Sequence, residues 1–428
     1  MSGGPAPRCK LPDGDLDGRV AEARSKYSLE HPQSLLEHER ASAVLPGGNT
    51  RTVLHFDPFP FRVMEADGPE LIDIDGHRYL DFCGNYSAGL LGHSPATIRD
   101  AIVAALDRGW AFGATHTGEV EVAELICDRY KSVEQVRFTN SGTEANLMAI
   151  GTAMHHTGRT GVGVFDLAYH GGVLSFGEAG GSHHLLNVPH RFTVAPFDDA
   201  DGLDRLFADT DLACVLIEVV QGSGGCRPVS PEFLDELRQR CTDKNVVLIF
   251  DEVMTSRLAP GGGQERFGVT PDMTTLGKYL GGGMTFGAFG GRRDIMATFD
   301  PQAGGALTQA GTFNNNVVSM AAAKATLQHE LEPSRLAATN DRGDRLRHSL
   351  DQTFEDASVP LWVTGIGSML AIHADDDRLL ELLFHAALND GFYLARRGFM
   401  ALSMAITDEH TNALVQSIDH WSKGLRAS

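Results

Sequence analysis

From about residue 95 the chain alternates unbroken apolar runs with stretches of helical period. Gly163-Val164-Phe165, Ala213-Cys214-Val215-Leu216-Ile217 and Val246 to Phe250 predict buried strands, and Val136-Arg137-Phe138 a shorter one. The spacing of apolar residues between them predicts helices over 95–108, 119–130, 144–155 and 231–241. Strands that lack polar alternation and are separated by helices predict a mainly parallel sheet covered on both faces. Ahead of residue 95 the pattern is shorter-ranged: a helix over 34–43, a Pro-Gly-Gly loop at 46–48, and strands at 61–64 and 70–74. Asp75-Gly76 then predicts a hairpin turn into 79–82. After Asn316 a helical stretch over 318–331 leads into a smaller α+β region. The predicted organisation is a flexible tail over 1–25, a small domain drawn from 26–90 and 318–428, and a large domain over 91–317.

Composition narrows the function classes. With 36 basic and 56 acidic residues the net charge is −20, which disfavours a nucleic-acid binder, whose affinity rests on basic neutralisation of phosphates. Cys9, Cys83, Cys127, Cys214, Cys226 and Cys241 form no Cys-x-x-Cys pair, so buried free thiols fit better than a zinc site or a disulfide scaffold. Met1 to Val20 carry no apolar signal region, and no apolar run approaches the roughly 20 residues that span a bilayer. The expectation is a cytoplasmic protein with no membrane, nucleic-acid or metal partner.

The chemistry is concentrated in three segments. Ser141-Gly142-Thr143 precede a helix whose first turn carries Glu144. Small residues there let backbone amides approach an anion at a helix N-terminus, although the same pattern starts ordinary helices. Asp251 ends an apolar strand, where a carboxylate needs a partner. Lys278 has Gly277 before it and Gly281-Gly282-Gly283 soon after. A P-loop is excluded, since Tyr279 stands where Ser or Thr is required and Asp272 where the first glycine belongs. A lysine amine, a strand-end carboxylate and an anion loop are the groups that hold pyridoxal 5′-phosphate: as an imine, at its ring nitrogen and at its phosphate. Tyr169, in Tyr169-His170-Gly171-Gly172, is an aromatic placed to stack on such a ring.

Together these segments resemble the class III (ornithine/ω-type) aminotransferases of PLP fold type I, from about residue 30 to the C-terminus. Pro46-Gly47-Gly48-Asn49-Thr50-Arg51, Asp251 through Pro260, Gly311-Thr312-Phe313-Asn314-Asn315-Asn316 and Arg397-Gly398-Phe399 are similar to the β-amino acid (β-phenylalanine) aminotransferases. Ser141 to Ala145, Asp251 to Thr255 and Gly277 to Gly283 resemble the wider subgroup that includes glutamate-1-semialdehyde 2,1-aminomutase.

The resemblance implies a large α/β domain with a mainly parallel seven-stranded sheet and a small α+β domain built from both termini. It implies a homodimer in which Thr312 reaches the phosphate in the neighbouring subunit. Ser141, Gly142 and Thr143 are then the phosphate loop, Tyr169 and Met254 flank the ring, Glu218 lies in the cofactor site, and Asp251 pairs with the ring nitrogen. Lys278 carries the internal aldimine, Arg51 binds the carboxylate of a β-amino donor, Arg397 that of the keto-acid acceptor, and Tyr86 lines the substrate pocket. The implied reaction is ping-pong transamination to 2-oxoglutarate or pyruvate. The aminomutase reaction and transamination of amines lacking a carboxylate stand as alternatives. Two features depart from the pattern: Val219 replaces the proline usual after Glu218, and the 371–380 segment is shorter than in the β-phenylalanine enzymes; Met254, where many ω-transaminases carry glutamine, favours the aminomutase-like branch over that group.

Overall fold

The computed structural model describes residues 16–177, 186–303 and 305–427. They form two compact units, one running from Pro95 to Ala338 and the other combining residues up to Ser94 with those from Thr339 onward.

The Pro95–Ala338 unit is built on a seven-stranded sheet. Its strand order is Gln135–Thr139, Gly287–Gly291, Met273–Gly277, Val247–Asp251, Leu212–Ile217, Gly161–Phe165, Arg191–Ala195. Gly287–Gly291 runs antiparallel to both neighbours, and the other pairings are parallel. The Leu212–Ile217, Val247–Asp251 and Met273–Gly277 strands are buried at every residue, as a sheet covered on both faces requires. Side chains of alternate parity go to opposite faces. Cys214, Leu216, Val247 and Ile249 pack with the Gly142–Thr157 helix, while Val215, Ile217, Leu248 and Phe250 pack with Phe233, Leu234 and Leu237 of the Pro231–Lys244 helix.

The other unit holds a four-stranded sheet, Val63–Asp67, Glu70–Asp73, Arg78–Asp81 and Phe392–Tyr393, and a three-stranded one, Leu361–Ile366, Met369–Ala374 and Phe399–Ala401. Both chain ends therefore contribute to it.

Three boundaries differ from the sequence reading. The tail predicted over 1–25 is helical from Leu16, where a Leu16–Glu30 helix begins; residues 1–15 lie outside the described residues. The helix is polar enough to pass for a tail, because it buries only Val20 and Tyr27. The large unit also runs to Ala338 rather than 317, and begins at Pro95 rather than 91. The apolar Val317–Ala325 helix packs on the Ala96–Leu106 and Thr117–Arg129 helices of that unit. The Gly287–Gly291 strand escaped the pattern, because Gly287-Ala288-Phe289-Gly290-Gly291 has little β-propensity. Its glycines are required by close packing: a Cβ at Gly287 would overlap the Ser141 carbonyl oxygen, and one at Gly290 would lie 2.6 Å from the Gln135 carbonyl.

Candidate active site

Parallel strands place their carboxyl ends on one edge of a sheet, where ligands of open α/β folds bind. At that edge Asp251 closes the Val247–Asp251 strand, and Lys278 follows the adjacent Met273–Gly277 strand directly. Ser141 to Thr143 follow the Gln135–Thr139 strand, and Tyr169 and His170 follow Gly161–Phe165. Glycines let these loops close on one another. A Cβ on Gly142 would come 2.8 Å from Val253 Cγ2, one on Gly277 would come 3.5 Å from the Gly142 Cα, and one on Gly171 would overlap the Thr143 side chain. Four of the segments singled out in the sequence thus meet in one cradle.

Ser141 caps the Gly142–Thr157 helix, its hydroxyl accepting from the Glu144 amide at 3.2 Å, while Glu144 reaches back to accept from the Asn140 amide at 2.8 Å. The amides of Gly142 and Thr143, in the first turn, have no intrahelical acceptor and form an anion site with the helix dipole. Lys278 is half-buried and holds a left-handed backbone, φ +55°, a conformation that costs an L-residue about 1–2 kcal/mol. Such strain recurs at functional positions.

Asp251 is the most constrained group. His170 Nδ1 donates to its Oδ2 at 2.8 Å, Asn146 Nδ2 donates to the same oxygen at 2.8 Å, and the Val253 amide donates to Oδ1 at 3.0 Å. Asn146 is itself held, its oxygen accepting from Thr275 Oγ1 at 2.6 Å and its nitrogen donating to the His170 carbonyl at 2.9 Å. Asp251 and His170 are both buried. Glu218 lies in the same buried region, accepting from the Tyr169 amide at 3.0 Å and the Gly222 amide at 3.1 Å. Burial pushes its carboxyl up to about 7, with His170 opposing and the Asp251 charge adding to the rise. Met254 packs against Gly222, where a Cβ would overlap its sulfur. Tyr169 keeps 47% of its surface exposed. Thr312 is exposed in a turn that Asn314 ties to the phosphate loop by accepting from Asn140 Nδ2 at 3.0 Å.

The remaining predicted residues gather in the other unit. Tyr86, in a left-handed run from Asn85 to Ser87, stacks on Phe399 with ring centroids 5.6 Å apart, and its hydroxyl donates to the Val53 carbonyl at 2.8 Å. The Arg51 guanidinium lies 5.8 Å from the Tyr86 ring centre and donates to Asn85 Oδ1 at 2.8 Å. That of Arg397 lies 5.5 Å from the same ring and 5.7 Å from Phe399. Two exposed guanidiniums thus approach one phenol ring.

Residues 55–421 match the model of the family described as aminotransferase class-III. The chain is 43% identical over 424 residues to the β-phenylalanine transaminase of Variovorax paradoxus, covering 96% of this chain and 97% of that protein. The crystal structure of the β-phenylalanine aminotransferase from that organism superposes with a TM-score of 0.93, covering 96% of this chain and 98% of the other. A glutamate-1-semialdehyde 2,1-aminomutase of Myxococcus xanthus is 38% identical over 412 residues, covering 88% of this chain and 95% of that protein. The chain belongs to the class III aminotransferases. It is a transaminase of PLP fold type I, and its cofactor is pyridoxal 5′-phosphate.

The cradle of this aminotransferase fits that cofactor. Asp251 is a buried carboxylate held by the donors of His170, Asn146 and the Val253 amide, and a protonated ring nitrogen would be a suitable cationic partner for it. The Gly142 and Thr143 amides suit its phosphate, and Lys278, at the end of the strand next to that of Asp251, suits its aldehyde. Sequence reasoning missed Asn146 and His170 as the pair that orients Asp251. The signal was present in both: Asn146 is an amide inside an otherwise apolar helix segment, and His170 adjoins Tyr169.

Proposed function

We propose that this enzyme transfers the amino group of a β-amino acid to 2-oxoglutarate or pyruvate in two half-reactions. The observation that carries the reading is the meeting of Arg51 and Arg397 on Tyr86, at 5.8 and 5.5 Å. The near full-length likeness to a β-phenylalanine transaminase supports it. A transaminase must hold a donor acid and an acceptor acid in turn, and two guanidiniums give each carboxylate its own fork. In this reading Arg51 takes the donor carboxylate, Arg397 that of the keto acid, and Tyr86 fixes both arginines while lining the pocket.

Bound pyridoxal phosphate supplies an aldehyde for the amine and a ring that accepts the electrons left when a proton departs. Lys278 would hold the cofactor and would be the base that takes the proton from the nitrogen-bearing carbon and returns it in the reverse half. Asp251, held by His170, Asn146 and the Val253 amide, keeps the ring nitrogen protonated. Ser141, Gly142 and Thr143 hold the phosphate, and Tyr169 and Met254 confine the ring. The donor leaves as a β-keto acid and the acceptor leaves as an amino acid. The active species in this proposal is a homodimer in which Thr312 reaches the neighbouring phosphate. Exposed Trp110, Phe112 and Phe313 support it, since large exposed aromatics favour an interface.

The test is a donor screen with β-phenylalanine, aliphatic β-amino acids and 1-phenylethylamine, each against 2-oxoglutarate and pyruvate. A β-amino acid is expected as the best donor, with strict dependence on added keto acid. Faster turnover of 1-phenylethylamine, or conversion of glutamate 1-semialdehyde without a keto acid, would reject the proposal.

A further inference from the structure

His31, Asp73 and His77, none of them among the residues assigned above, meet in the unit formed by the two chain ends. His31 lies between the Leu16–Glu30 and Pro32–Ser42 helices, Asp73 ends the Glu70–Asp73 strand, and His77 precedes the Arg78–Asp81 strand. Asp73 Oδ2 is 3.5 Å from His31 Nε2 and 3.0 Å from His77 Nδ1, and the three atoms lie within 4.8 Å of one another. Ligands on a tetrahedral ion with bonds of about 2.0–2.1 Å sit about 3.3 Å apart. Two edges of the required triangle are therefore nearly in place, and the half-exposed His77 side chain can turn to close the third.

The supporting contacts are those a ligand set needs. His31 Nδ1 faces the Tyr27 carbonyl at 2.8 Å, which fixes its proton there and leaves Nε2 with a lone pair. Asp73 Oδ1 accepts from the Asp75 and His77 amides at 3.0 and 2.8 Å, which leaves Oδ2 turned toward both imidazoles. The Tyr79 hydroxyl is 2.8 Å from His31 Nε2 and 3.0 Å from Asp73 Oδ2. With Tyr79 donating to His31 Nε2 and His77 Nδ1 donating to Asp73 Oδ2 at 3.0 Å, two protons occupy the centre of the cluster. A cation takes the place of those protons by binding the same nitrogen and oxygen lone pairs, with Tyr79 as the fourth donor or as a partner of a bound water.

We propose that His31, Asp73 and His77 form a binding site for a divalent transition-metal ion of the zinc type. Two imidazoles and one carboxylate suit Zn²⁺ and Co²⁺ better than Mg²⁺ or Ca²⁺, which prefer oxygen ligands. The bound ion clips the junction of the first two helices to the Glu70–Asp81 hairpin, so it acts on the stability of this unit rather than on the reaction.

The experiment uses the full-length holoenzyme without an affinity tag, titrated with Co²⁺ and then Zn²⁺. One Co²⁺ per chain with the visible d–d absorption of a tetrahedral site, displaced by Zn²⁺, is expected. His31→Gln and His77→Gln should each weaken binding on the order of a hundredfold, the scale of lost support at metal sites. His77→Gln changes a half-exposed residue, so it reports on the site even if the buried His31→Gln variant fails to fold. Transaminase activity of the metal-free His77→Gln variant should match that of the parent. Absence of stoichiometric Co²⁺ binding by the parent, or unchanged binding by His77→Gln, overturns the proposal and leaves the cluster as a hydrogen-bond network.

Discussion

His170 donates its Nδ1 proton to Asp251 Oδ2 across 2.8 Å, with both side chains at most 5% exposed. The bond fixes the tautomer of the imidazole and the plane of the carboxylate together. Among the described residues, His170 Nε2 is buried without a hydrogen-bond partner. Asp251→Asn keeps the shape but removes the charge, and should lower kcat by roughly 10²–10⁴-fold, the scale of a positioned proton-transfer group. His170→Phe should lower it less and weaken cofactor retention. Steady-state rates together with dialysis-resistant cofactor content distinguish the two variants. Near-normal turnover by Asp251→Asn would remove Asp251 from the role given to it.

Lys278→Ala should abolish turnover and the visible absorbance of the attached cofactor, while the folded chain still binds phosphate-bearing ligands at Ser141 to Thr143. Intact-mass measurement after borohydride reduction checks it: the parent should carry the cofactor mass and the variant should not.

The two arginines should separate by substrate. Charged hydrogen bonds are worth about 1.5–3 kcal/mol, so Arg51→Ala should cost roughly tenfold to a hundredfold in kcat/KM for a β-amino donor. It should cost little for 1-phenylethylamine, which has no carboxylate. Arg397→Ala should instead raise the KM for the keto acid. Equal losses for both donors would refute the assignment of Arg51.

Glu218 gives a pH test. Burial raises its folded pKa to about 7 from an ordinary 4.5. Its contribution to stability is therefore complete below about 4.5 and is lost as pH rises through about 7, where the folded state must ionise a buried carboxyl. Cofactor-free Glu218→Gln, compared with the parent in urea, should gain relative stability steadily from pH 4.5 to 7. A flat difference across that window would show that the carboxyl ionises freely in the fold.

Gly287→Ala tests the packing of the cradle. The added methyl would overlap the Ser141 carbonyl oxygen, where backbone on both sides resists movement. A loss of about 1–3 kcal/mol is expected from overpacking, along with weaker cofactor binding as the phosphate loop shifts. Urea midpoints and cofactor titration read the two effects separately.

The sequence by itself determined the mainly parallel sheet and which residues stand at its edge. Unbroken apolar runs such as Leu212–Ile217 must be covered on both faces, and strand ends such as Asp251 must then face a ligand or a partner. Tertiary structure alone decided which groups serve those residues. Asn146 and His170 reach Asp251 from 105 and 81 residues away, and no local pattern encodes that distance. The glycine strand at Gly287–Gly291 was hidden for a related reason, since what makes it a strand is the backbone packed against it. The polar Leu16–Glu30 helix was equally illegible, because two buried residues leave almost no periodic signal. Local periodicity reports the face that meets the core, whereas contacts made across the chain are set only when the core has formed.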